Sequence, residues 1–474
     1  MNLGTSLHWV STKMKDKVCL IEGNEKITYA GLWKEIEDLA KAFLKIGIKE
    51  NDKVCVILPN GKEFIYSFYG LARINAVSVP LNTYLTPYEL AKIFRDCGPK
   101  AVITTYTLYK KKIVPILNKD ISVILTSEPL ESVKDNVFEL NGILAKNTGS
   151  GKLPRFSANN NQIATINYTY RGTGEPLGAV LSHGNYHHGA IGYLRLTKVA
   201  TSQRVLLITP MSHIFTLISC VIVPLLRGST VVIMKTFIPS HIFRAIEEHK
   251  VDFIIAVPTI YVLLLRNYHK GSFDISSLKY GITGGSYLPE DANREIKREM
   301  GIELLQGYGL TETMPITCNP SSKNKPASLG VPGHEVKVRI VDGEIVIGGP
   351  TVMKGYYNKD SENGRYLKDG WFYTGDYGYI DEEGYLYFKG LKKEIVKIGG
   401  NNVDLNEVKK VLGSFPGAKS VKLETAEDEL WGQRLHAEVS VSSKGDVTEK
   451  DIRAFCGERM ALYKIPKKII VSVN

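Results

Sequence analysis

The sequence predicts an α/β protein. We expect a large N-terminal domain of mixed and parallel sheets covered by helices, a small β-rich subdomain and a small mobile α+β C-terminal domain. As far as about Ser328, short β-rich runs alternate with longer amphipathic segments, which is the pattern of parallel strands covered by helices. After Ser328 the predicted strands become short and are broken by glycines. From Leu391 the alternation of strand and helix returns.

The first elements follow from hydrophobic spacing. The segment ITYAGLWKEIEDLAKAFLKIGI predicts a helix, because its apolar residues recur at helical intervals. These residues are Leu32, Ile36, Leu39, Phe43 and Leu44. The next run, DKVCVILPN, predicts a strand, and EFIYSFYGLARINAVSVPLN predicts a helix that leads into another strand. Further strands are predicted at AVITTY, SVILTS and STVVIM.

An apolar run from Val205 to Leu226 contains no Asp, Glu, Lys or Arg and is long enough to cross a bilayer. Pro210, His213 and Pro224 interrupt it, and the β-rich run STVVIM follows almost at once. We therefore expect a buried helix–strand unit and no integral membrane segment.

The domain boundaries are predicted where the pattern changes. Residues 1–389 would form the N-terminal domain, with its β-rich subdomain at about 328–389. Residues 390–474 would form the small C-terminal domain. The polar run 157–162 is the best candidate for a loop between early subdomains, and Lys389–Leu391 is the best candidate for a hinge.

The composition is ordinary apart from its charge. The chain has 474 residues, with 60 Lys and Arg against 49 Asp and Glu, which gives a net charge of +11. Disordered, collagen-like and disulfide-stapled classes are excluded. The positive charge fits either a solvated lysine-rich surface or attraction to a polyanion. Six scattered cysteines without a CxxC pair indicate reduced thiols and a cytoplasmic location rather than a zinc site.

The first motif that indicates chemistry is YTYRGTGEPLG, which follows the β-rich run IATIN. Its glycines, at positions 172, 174 and 178, allow backbone N–H groups to turn inward and bind phosphate oxygens. A tight corner without a ligand explains the same residues equally well. The motif by itself leaves both interpretations open.

The second motif, QGYGLTE, places a hydroxyl and a carboxylate side by side at Thr311 and Glu312. Oxygen ligands of this kind suit a Mg²⁺ ion that bridges to phosphate. The alternative is a helix that begins here, with Thr311 as its N-cap.

Two more motifs lie further along the chain. The third, GWFYTGD, ends at Asp376, and an acidic residue at the end of a strand commonly accepts hydrogen bonds from ribose hydroxyls. The fourth, KKEIVKIGG, is a charged strand and glycine turn just beyond the predicted hinge.

Together these motifs resemble, in order and spacing, the adenylate-forming superfamily of acyl-CoA synthetases, peptide-synthetase adenylation domains and firefly luciferase. The similarity extends from ITYAGLW, at about Ile27, to YKIP, which ends at Pro466. QGYGLTE, GEIVIGGPTVMKGYYN and GWFYTGDYGYIDEEGYLYF are the most specific segments. Members of this superfamily join a carboxylate to ATP, release pyrophosphate and pass the acyl group from AMP to a thiol.

The resemblance implies a role for each motif. Thr173 and Gly174 would contact the β- and γ-phosphates of ATP. Glu312 would hold Mg²⁺, with Thr311 beside the α-phosphate, and Asp376 would bind the ribose hydroxyls. The full set of implied nucleotide-binding residues is Arg171, Gly172, Gly174, Gly285, Ser286, Tyr308, Gly309, Thr311 and Asp376.

Two further residues join Thr173 and Glu312 in the implied catalytic set. His213, in TPMSHIF, matches the histidine near the carboxylate and the thiol tunnel, whereas in isolation it would be interpreted as a core histidine. Lys397 lies on the strand that, by resemblance, faces the active site during thiol transfer. The alternative for Lys397 is a solvated strand lysine.

The resemblance also places the acid pocket. It would be lined by the helix after His213 and by residues 256–265, with Tyr261 and Gly284 nearby. This lining is apolar, so a hydrophobic fatty or aryl acid is favoured over an amino acid.

The sequence departs from the superfamily pattern. The phosphate loop usually reads YTSGTTGxPKG, and the residues that differ here are Tyr170, Arg171, Gly172 and Leu177. Leu391 replaces the hinge arginine, and the superfamily's final lysine motif falls beyond the end of this sequence, so we expect a shortened C-terminus. Loss of one preorganised donor of this kind commonly costs about 10²–10³ in rate. Arg171 could restore the charge, but adenylation at ordinary rates does not follow from the fold.

We therefore predict an acid–thiol ligase that activates a hydrophobic carboxylate as an acyl-AMP. It would transfer the acyl group to CoA or to the phosphopantetheine of an acyl carrier protein, with ATP and Mg²⁺ as the other cofactors. No nucleic-acid-binding motif occurs, so we expect no nucleic acid partner. The alternative is a degenerate homologue that does not adenylate. Such a protein would bind an acyl-adenylate, a nucleotide or an acyl-CoA, or would perform thiol transfer alone.

Overall fold

The structure is a computed structural model. It describes residues 2–126, 136–140, 153–155, 159–197, 203–391, 394–442 and 447–473. Lys392 and Lys393 of the fourth motif, and residues 157–158 of the predicted loop, lie outside these ranges. Below, residues 2–391 are called the main body and residues 394–473 the C-terminal unit.

Two large mixed sheets form the framework of the main body. Within the described residues sheet A contains nine strands, parallel in its centre and antiparallel at both edges. In spatial order they are Val331–Pro332, Met314–Cys318, Glu303–Leu310, Tyr280–Thr283, Phe253–Ala256, Arg204–Leu207, Thr230–Ile233, Val18–Glu22 and Glu25–Thr28.

Sheet B has eight strands in the part of the chain that the structure describes. Its parallel strands are buried β-branched runs, as expected for a sheet covered on both faces. In spatial order the strands are Gly355–Tyr356, Leu177–Ser182, Ile163–Thr169, Val77–Pro80, Lys53–Ile57, Ala101–Thr104, Ser122–Leu125 and Val137–Glu139.

Helices connect the parallel strands. The longer helices of the main body are Leu3–Lys13, Tyr29–Lys45, Lys62–Arg73, Pro87–Cys97, His183–Thr197, Pro239–His249, Pro258–Asn267 and Glu290–Met300. Shorter α-helices are Tyr106–Leu108, Ile214–Thr216, Val223–Arg227 and Asp360–Tyr366. Tyr109–Ile113 and Leu217–Ile222 are π-helical turns, and Val114–Ile116 is a 3₁₀ turn.

The helix predicted at ITYAGLW is the helix Tyr29–Lys45. Thr28 begins it as an N-cap, because its side chain accepts a hydrogen bond from the backbone N–H of Gly31. The residues predicted to form its apolar stripe, Leu32, Ile36, Leu39 and Phe43, are buried, while Leu44 is partly buried at the edge of the core. Hydrophobic spacing therefore identified this helix and its buried face.

The apolar run from Val205 to Leu226 is a buried strand followed by a helical segment. The strand Arg204–Leu207 and the helical turns between Ile214 and Arg227 lead into the strand Thr230–Ile233. The side chains of Leu217–Ile222 are buried in the core. Among the described helices, none has the length and apolar character needed to cross a membrane.

A third sheet follows in the glycine-broken part of the main body. Sheet C consists, within the described ranges, of Lys337–Val341, Glu344–Gly348, Trp371–Ile380 and Leu367–Lys368, with Leu386–Leu391 also paired to Trp371–Ile380. All of its pairings are antiparallel. It is the β-rich region expected after Ser328.

The C-terminal unit has its own sheet and its own core. Sheet D is formed by Asn401–Asp404, Ile395–Ile398, Gly432–Val441, Ala418–Asp428 and Lys468–Val473. Its helices are Leu405–Gly413 and Glu449–Arg459, with a 3₁₀ turn at Leu462–Lys464. A hydrophobic cluster between Val396 and Ile469 belongs to this unit alone. The α/β fold class with a large N-terminal and a smaller C-terminal part is confirmed.

Candidate active site

A cavity of about 1260 Å³ lies where the C-terminal unit packs against the main body. Both parts of the chain line it, so its shape depends on how they dock. The residues of the predicted site that lie on its wall are His213, Gly285, Tyr308, Gly309, Thr311 and Lys397.

The phosphate loop connects two antiparallel strands of sheet B. Gly172 and Gly174 have φ values of +79° and +73°, which favour glycine because other side chains rarely adopt them. The Thr173 hydroxyl donates to the backbone carbonyl of Glu175 at 2.9 Å. The N–H of Gly174 donates to Oδ2 of Asp404, 2.9 Å away in the C-terminal unit. The Gly174 amide, which was predicted to bind phosphate, therefore donates its hydrogen bond to a carboxylate of the same chain.

Arg171 and Glu312 form a buried ion pair behind the cavity wall. Nε of Arg171 lies 2.9 Å from Oε1 of Glu312, and the two side chains are 5% and 1% exposed. The Tyr356 hydroxyl donates to the same carboxylate oxygen at 2.6 Å. The guanidinium carbon also lies 5.2 Å from the ring centre of Tyr366 and 4.8 Å from that of Phe372, within cation–π range.

The charge of Arg171 is maintained by its surroundings. Burial works against the guanidinium charge, but the carboxylates of Glu312 and Asp376 outweigh it and raise the pKa of Arg171. Arg171 therefore remains a cation, and its Nη2 has no hydrogen-bond partner among the described residues.

The Arg171–Glu312 ion pair affects how Glu312, the predicted Mg²⁺ ligand, can bind a metal ion. Oε1 of Glu312 already faces a guanidinium and a hydroxyl, so its negative charge is neutralised by the chain itself. Within the described ranges, no group of three or more His, Cys, Asp and Glu side chains is arranged to hold a metal ion. In this arrangement Oε1 of Glu312 is already engaged by the chain, and the described residues offer no metal site built from side chains alone.

The QGYGLTE motif forms a strand and a turn. The strand Glu303–Leu310 pairs antiparallel with Met314–Cys318, and Thr311 lies in the turn between them. The alternative in which Thr311 caps a helix is therefore wrong. Met314 has a φ of +59°, which allows the chain to reverse direction within a few residues. Thr311 lies on the cavity wall, where the resemblance places the α-phosphate.

Asp376 lies behind the wall, next to Tyr308. The Tyr308 hydroxyl donates to Oδ2 of Asp376 at 2.5 Å. Burial, together with this carboxylate, raises the pKa of Tyr308 well above its ordinary value, so the phenol remains a donor. Asp376 was expected at the end of a strand, but it lies inside the strand Trp371–Ile380. The pairing of this strand with Leu386–Leu391 shifts register just after the neighbouring residue, Tyr377.

Lys397 of the C-terminal unit contacts Gly285, which belongs to the segment predicted to bind adenine. Its Nζ donates to the backbone carbonyl of Gly285 at 2.5 Å. Gly285 has a φ of +81°, and Ser286 follows it outside the cavity wall. Burial lowers the pKa of Lys397, an effect that Asp376 and Glu312 only partly offset. The alternative of a solvated strand lysine is therefore wrong.

His213 lies half-buried on the cavity wall with Asn82 beside it. Nδ2 of Asn82 is 3.1 Å from Nε2 of His213, and Oδ1 of Asn82 accepts the backbone N–H of Tyr84 at 2.9 Å. Because Oδ1 is occupied by a donor, the amide NH₂ faces His213 and donates to Nε2. Burial lowers the pKa of His213, so a neutral ring with its proton on Nδ1 follows.

The apolar part of the cavity wall follows His213, as expected. It includes Phe215, Val257, Ile260 and Leu263. Tyr261 is not on the wall: its hydroxyl donates to the backbone carbonyls of Ile254 and Ile282 in the core. The expectation that Tyr261 lies near the acid is therefore not supported by its contacts. Gly284 is on the wall, against the ring of Phe215.

A second buried ion cluster, which no sequence motif predicted, lies near the phosphate loop where the C-terminal unit contacts the main body. Nζ of Lys464 lies 2.6 Å from Oε1 of Glu89 and 2.8 Å from Oε2 of Glu407, and its side chain is fully buried. Nζ is also 4.2 Å from the ring centre of Tyr170. Burial opposes the charge of Lys464, but the tyrosines and carboxylates around it raise its pKa well above the ordinary value.

Sequence signals for these missed residues were incomplete. Asp404 begins DLNE, a pattern typical of a helix N-cap followed by an acidic residue, and Asp404 does cap the helix Leu405–Gly413. Lys464 stands in the YKIP segment that carried the resemblance. Neither signal indicates a partner in the main body.

Comparison with known proteins shows which family the chain resembles. The family model of AMP-binding enzymes matches residues 7–357. A long-chain-fatty-acid–CoA ligase from Mycobacterium tuberculosis is 32% identical over 458 residues, which cover 94% of this chain and 89% of that protein.

Two solved structures of one synthetase are also similar. A double mutant of o-succinylbenzoate CoA synthetase from Bacillus subtilis, bound to a product analogue, gives a TM-score of 0.85 at 26% identity, covering 98% of this chain and 94% of that chain. The same synthetase with its acyl-adenylate intermediate gives a TM-score of 0.72 at 26% identity, with the same coverage. The resemblance inferred from the motifs is confirmed, and the chain belongs to the family of AMP-binding enzymes.

Proposed function

We propose that this protein is an acid–thiol ligase that acts in two half-reactions. In the first, an oxygen of the carboxylate bonds to the α-phosphorus of ATP and pyrophosphate leaves, which gives an acyl-AMP. In the second, a thiol sulfur bonds to the acyl carbon, AMP leaves, and the thiol proton is released. The relatives named as CoA ligases support CoA as the thiol.

One observation carries the proposal. The cavity combines an apolar wall, the His213–Asn82 pair and the Lys397–Gly285 contact in a single space. An acyl chain and a reacting carbonyl group therefore have complementary surfaces side by side. A simple binding module has no need for a neutral imidazole and a partly buried lysine next to an apolar pocket.

The roles of the polar residues follow from their charge states. The neutral ring of His213 can hydrogen-bond the reacting carboxyl group or the thiol without adding charge. Lys397 brings a cation towards the leaving AMP, whose phosphate gains negative charge as the acyl bond breaks. Tyr308 and Asp376 would hold the nucleoside part, with Gly309 and Thr311 beside its α-phosphate and Gly285 and Ser286 beside the adenine.

The substrate we propose is a hydrophobic acid, either fatty or aryl. The apolar wall supports this class, and so do the relatives, one named for long-chain fatty acids and one for o-succinylbenzoate. The phosphopantetheine thiol of a carrier protein is chemically equivalent to that of CoA. We propose CoA as the acceptor because the named relatives use it.

The nucleotide would bring its own metal ion. Because Glu312 is paired with Arg171, we propose that Mg²⁺ enters as a companion of ATP rather than as a resident ion. Thr173 and the N–H groups at Gly172 and Gly174 would then meet the β- and γ-phosphates when the C-terminal unit is undocked. We further propose that this unit, beginning at about residue 390, turns about Lys389–Leu391, and that the enzyme acts in the cytoplasm.

A second candidate function has a specific observation in its favour. Arg171 is paired with Glu312 behind the cavity wall, and the Gly174 amide is occupied by Asp404. A protein that only transfers an acyl group from a preformed acyl-AMP to a thiol needs no phosphate loop. The chain would then be a thiol-transfer enzyme without the first half-reaction.

One experiment separates the two. ATP–pyrophosphate exchange is measured with a panel of fatty and aryl acids, and thioester formation is measured from the corresponding synthetic acyl-AMP and CoA. Exchange together with thioester formation supports the ligase. Thioester formation without exchange supports the transfer-only enzyme, and the absence of both would refute both functions.

A further inference from the structure

A short turn carries Asn82 to the cavity wall. The backbone N–H of Leu85 donates to the carbonyl of Asn82 at 3.2 Å, and the N–H of Tyr84 donates to the Asn82 side chain at 2.9 Å. All four residues of this turn, 82–85, line the cavity. The position of the turn therefore determines how the amide of Asn82 meets His213. We call residues 82–85 the Asn82 turn.

Lys112 holds the Asn82 turn from outside. Its ammonium donates to the backbone carbonyl of Thr83 at 2.5 Å and to that of Leu85 at 2.7 Å. These two carbonyls lie on either side of Tyr84, the residue whose N–H fixes the amide of Asn82. The side chain of Tyr84 is largely exposed, so its packing contributes little to holding the turn. The two hydrogen bonds from Lys112 supply that restraint.

Lys112 extends from a fixed base. It belongs to the π-helical turn Tyr109–Ile113, a rare element that is frequent at functional sites. The side chains of Tyr109 and Ile113 are buried in the same hydrophobic cluster as Leu85. Of the three consecutive lysines in this turn, the first two, Lys110 and Lys111, are exposed, whereas Lys112 is half-buried.

The partial burial of Lys112 makes its two acceptors important. Burial lowers the pKa of Lys112, an effect that Glu89 partly offsets. An ammonium that loses water on burial needs other hydrogen-bond acceptors in its place. The carbonyls of the Asn82 turn are those acceptors. The lysine and the turn therefore stabilise each other.

We infer that Lys112 is a positioning residue for His213 and acts through the Asn82 turn. By holding the carbonyls of Thr83 and Leu85, it keeps the amide of Asn82 directed at Nε2 of His213. That amide in turn keeps the proton of the neutral ring on Nδ1. This inference rests on the proposed function, because it assigns Lys112 to the transfer of the acyl group.

A direct contact between Lys112 and an anionic ligand is the competing explanation, since Lys112 also lines the cavity. Such a contact would contribute binding energy alone, so its loss would raise the KM for CoA and leave kcat unchanged. Positioning of His213 predicts the opposite pattern. Its loss lowers kcat and changes the state of the imidazole ring even when no ligand is present.

The test uses variants of the full chain. Lys112→Met keeps an unbranched side chain and removes the donor, and Lys112→Gln is a milder change that keeps a neutral donor. Asn82→Ala removes the amide itself, and the double variant Lys112→Met/Asn82→Ala completes a cycle. Lys110→Met is the matched control, because Lys110 is an exposed lysine of the same π-helical turn. Urea denaturation shows that each variant is folded.

The first measurement is the rate of thioester formation from synthetic acyl-AMP with saturating CoA. Lys112→Met should lower this rate about tenfold, because a displaced turn misplaces the groups that meet the substrate. Lys112→Gln should give a smaller loss, and Lys110→Met should match the wild type. The double variant should be no slower than Asn82→Ala, since residues that act through one contact are not additive.

The second measurement is the ¹⁵N NMR spectrum of the histidine rings without any ligand. The signals of His213 are those that disappear in His213→Gln. At pH 7.5 the wild type should show a protonated Nδ1 and an unprotonated Nε2, since burial lowers the pKa of this ring. In Lys112→Met the two signals should move towards each other as the proton exchanges between the nitrogens. Lys110→Met should leave them in place.

The inference is overturned if Lys112→Met leaves the His213 signals unchanged, if its loss of rate adds fully to that of Asn82→Ala, or if it raises only the KM for CoA. The NMR measurement does not depend on catalysis. If the wild type forms no thioester but its His213 signals change in Lys112→Met, the proposed function fails while the positioning of the ring stands. If thioester forms and Lys112→Met matches Lys110→Met in both measurements, the function stands and this inference fails.

Discussion

The two ends of the cavity differ in how their polar groups are satisfied. We call the part of the cavity around His213 and Lys397 the transfer end, and the part next to the phosphate loop the phosphate end. At the transfer end, the side chains of His213 and Lys397 each make one hydrogen bond and lie on the wall, where a ligand can reach them. At the phosphate end, Arg171 and Glu312 neutralise each other behind the wall. The comparison teaches that in this arrangement the polar groups of the transfer end are accessible from the cavity, whereas those of the phosphate end are engaged by partners within the chain.

The largest expected effect comes from breaking the pair at the phosphate end. Glu312→Gln leaves the buried cation of Arg171 without a counter-charge, which should lower the free energy of unfolding by about 3–5 kcal/mol. Urea denaturation measures this. The control is Glu438→Gln, which removes an exposed partner of Lys422 and should cost about 0–1 kcal/mol.

The double variant Arg171→Gly/Glu312→Gln tests whether the loss of stability in Glu312→Gln comes from the unpaired charge of Arg171. It removes both charges, so it should recover much of the stability that Glu312→Gln loses. Equal losses in Glu312→Gln and Glu438→Gln would contradict a buried ion pair.

At the transfer end, Lys397→Ala should slow thioester formation from acyl-AMP by about 10²–10³, because a preorganised cation is lost from the site. Stopped-flow or quenched measurements with saturating CoA give this rate. Lys409→Ala is the control, since Lys409 pairs with the exposed Glu394 on the surface. A Lys397→Ala rate like that of the control would remove Lys397 from the site.

The protonation of His213 gives a smaller, pH-dependent effect. Burial lowers its pKa from 6.5, so the ring is neutral at and above pH 6.5, and the transfer rate should fall only below that pH. Asn82→Asp places a carboxylate beside Nε2, stabilises the imidazolium and should move this acid limb to higher pH, with about a tenfold loss at pH 7. Asn118→Asp, on the exposed surface, should leave the profile unchanged. A profile of Asn82→Asp identical to the wild type would contradict the Asn82–His213 contact.

The smallest effect concerns the shape of the acid pocket. A Cβ on Gly284 would lie 3.5 Å from the Phe215 ring and 3.2 Å from the Gly307 carbonyl. Gly284→Ala should therefore reduce kcat/KM for bulky aryl acids a few-fold more than for slim fatty acids, in line with the modest cost of a misplaced methyl group. Gly364→Ala has open space around it and is the control. A uniform loss for all acids would show that Gly284 does not select among them.

Much of the fold could be predicted because its signals are local. Helical spacing identified the helix Tyr29–Lys45. Of the three glycines expected to turn the phosphate loop, Gly172 and Gly174 have positive φ, whereas Gly178 lies in the strand Leu177–Ser182. The interpretation of Thr311 as a helix cap was wrong because a hydroxyl followed by a carboxylate starts a helix or turns a hairpin equally well. The pairing of the strands Glu303–Leu310 and Met314–Cys318 decides between them.

The partners of the site residues could not be predicted, since they lie far away in sequence. Asn82 and His213 are separated by 131 residues, Gly174 and Asp404 by 230, and Glu89 and Lys464 by 375. No periodicity connects such positions. Motifs predicted which residues carry chemistry, whereas contacts between distant segments, both within the main body and between it and the C-terminal unit, determine what each residue touches.

The hydrogen bond from Tyr84 to Asn82 links the entrance of the cavity to its chemistry. Tyr84 is 64% exposed at the mouth, yet its backbone N–H fixes the amide of Asn82, and that amide fixes the tautomer of His213. An entering acid that shifts the backbone at Tyr84 also frees Asn82 to rotate and the imidazole proton to change nitrogen. Tyr84 at the mouth and His213 inside the cavity are therefore linked through two hydrogen bonds of one amide, that of Asn82.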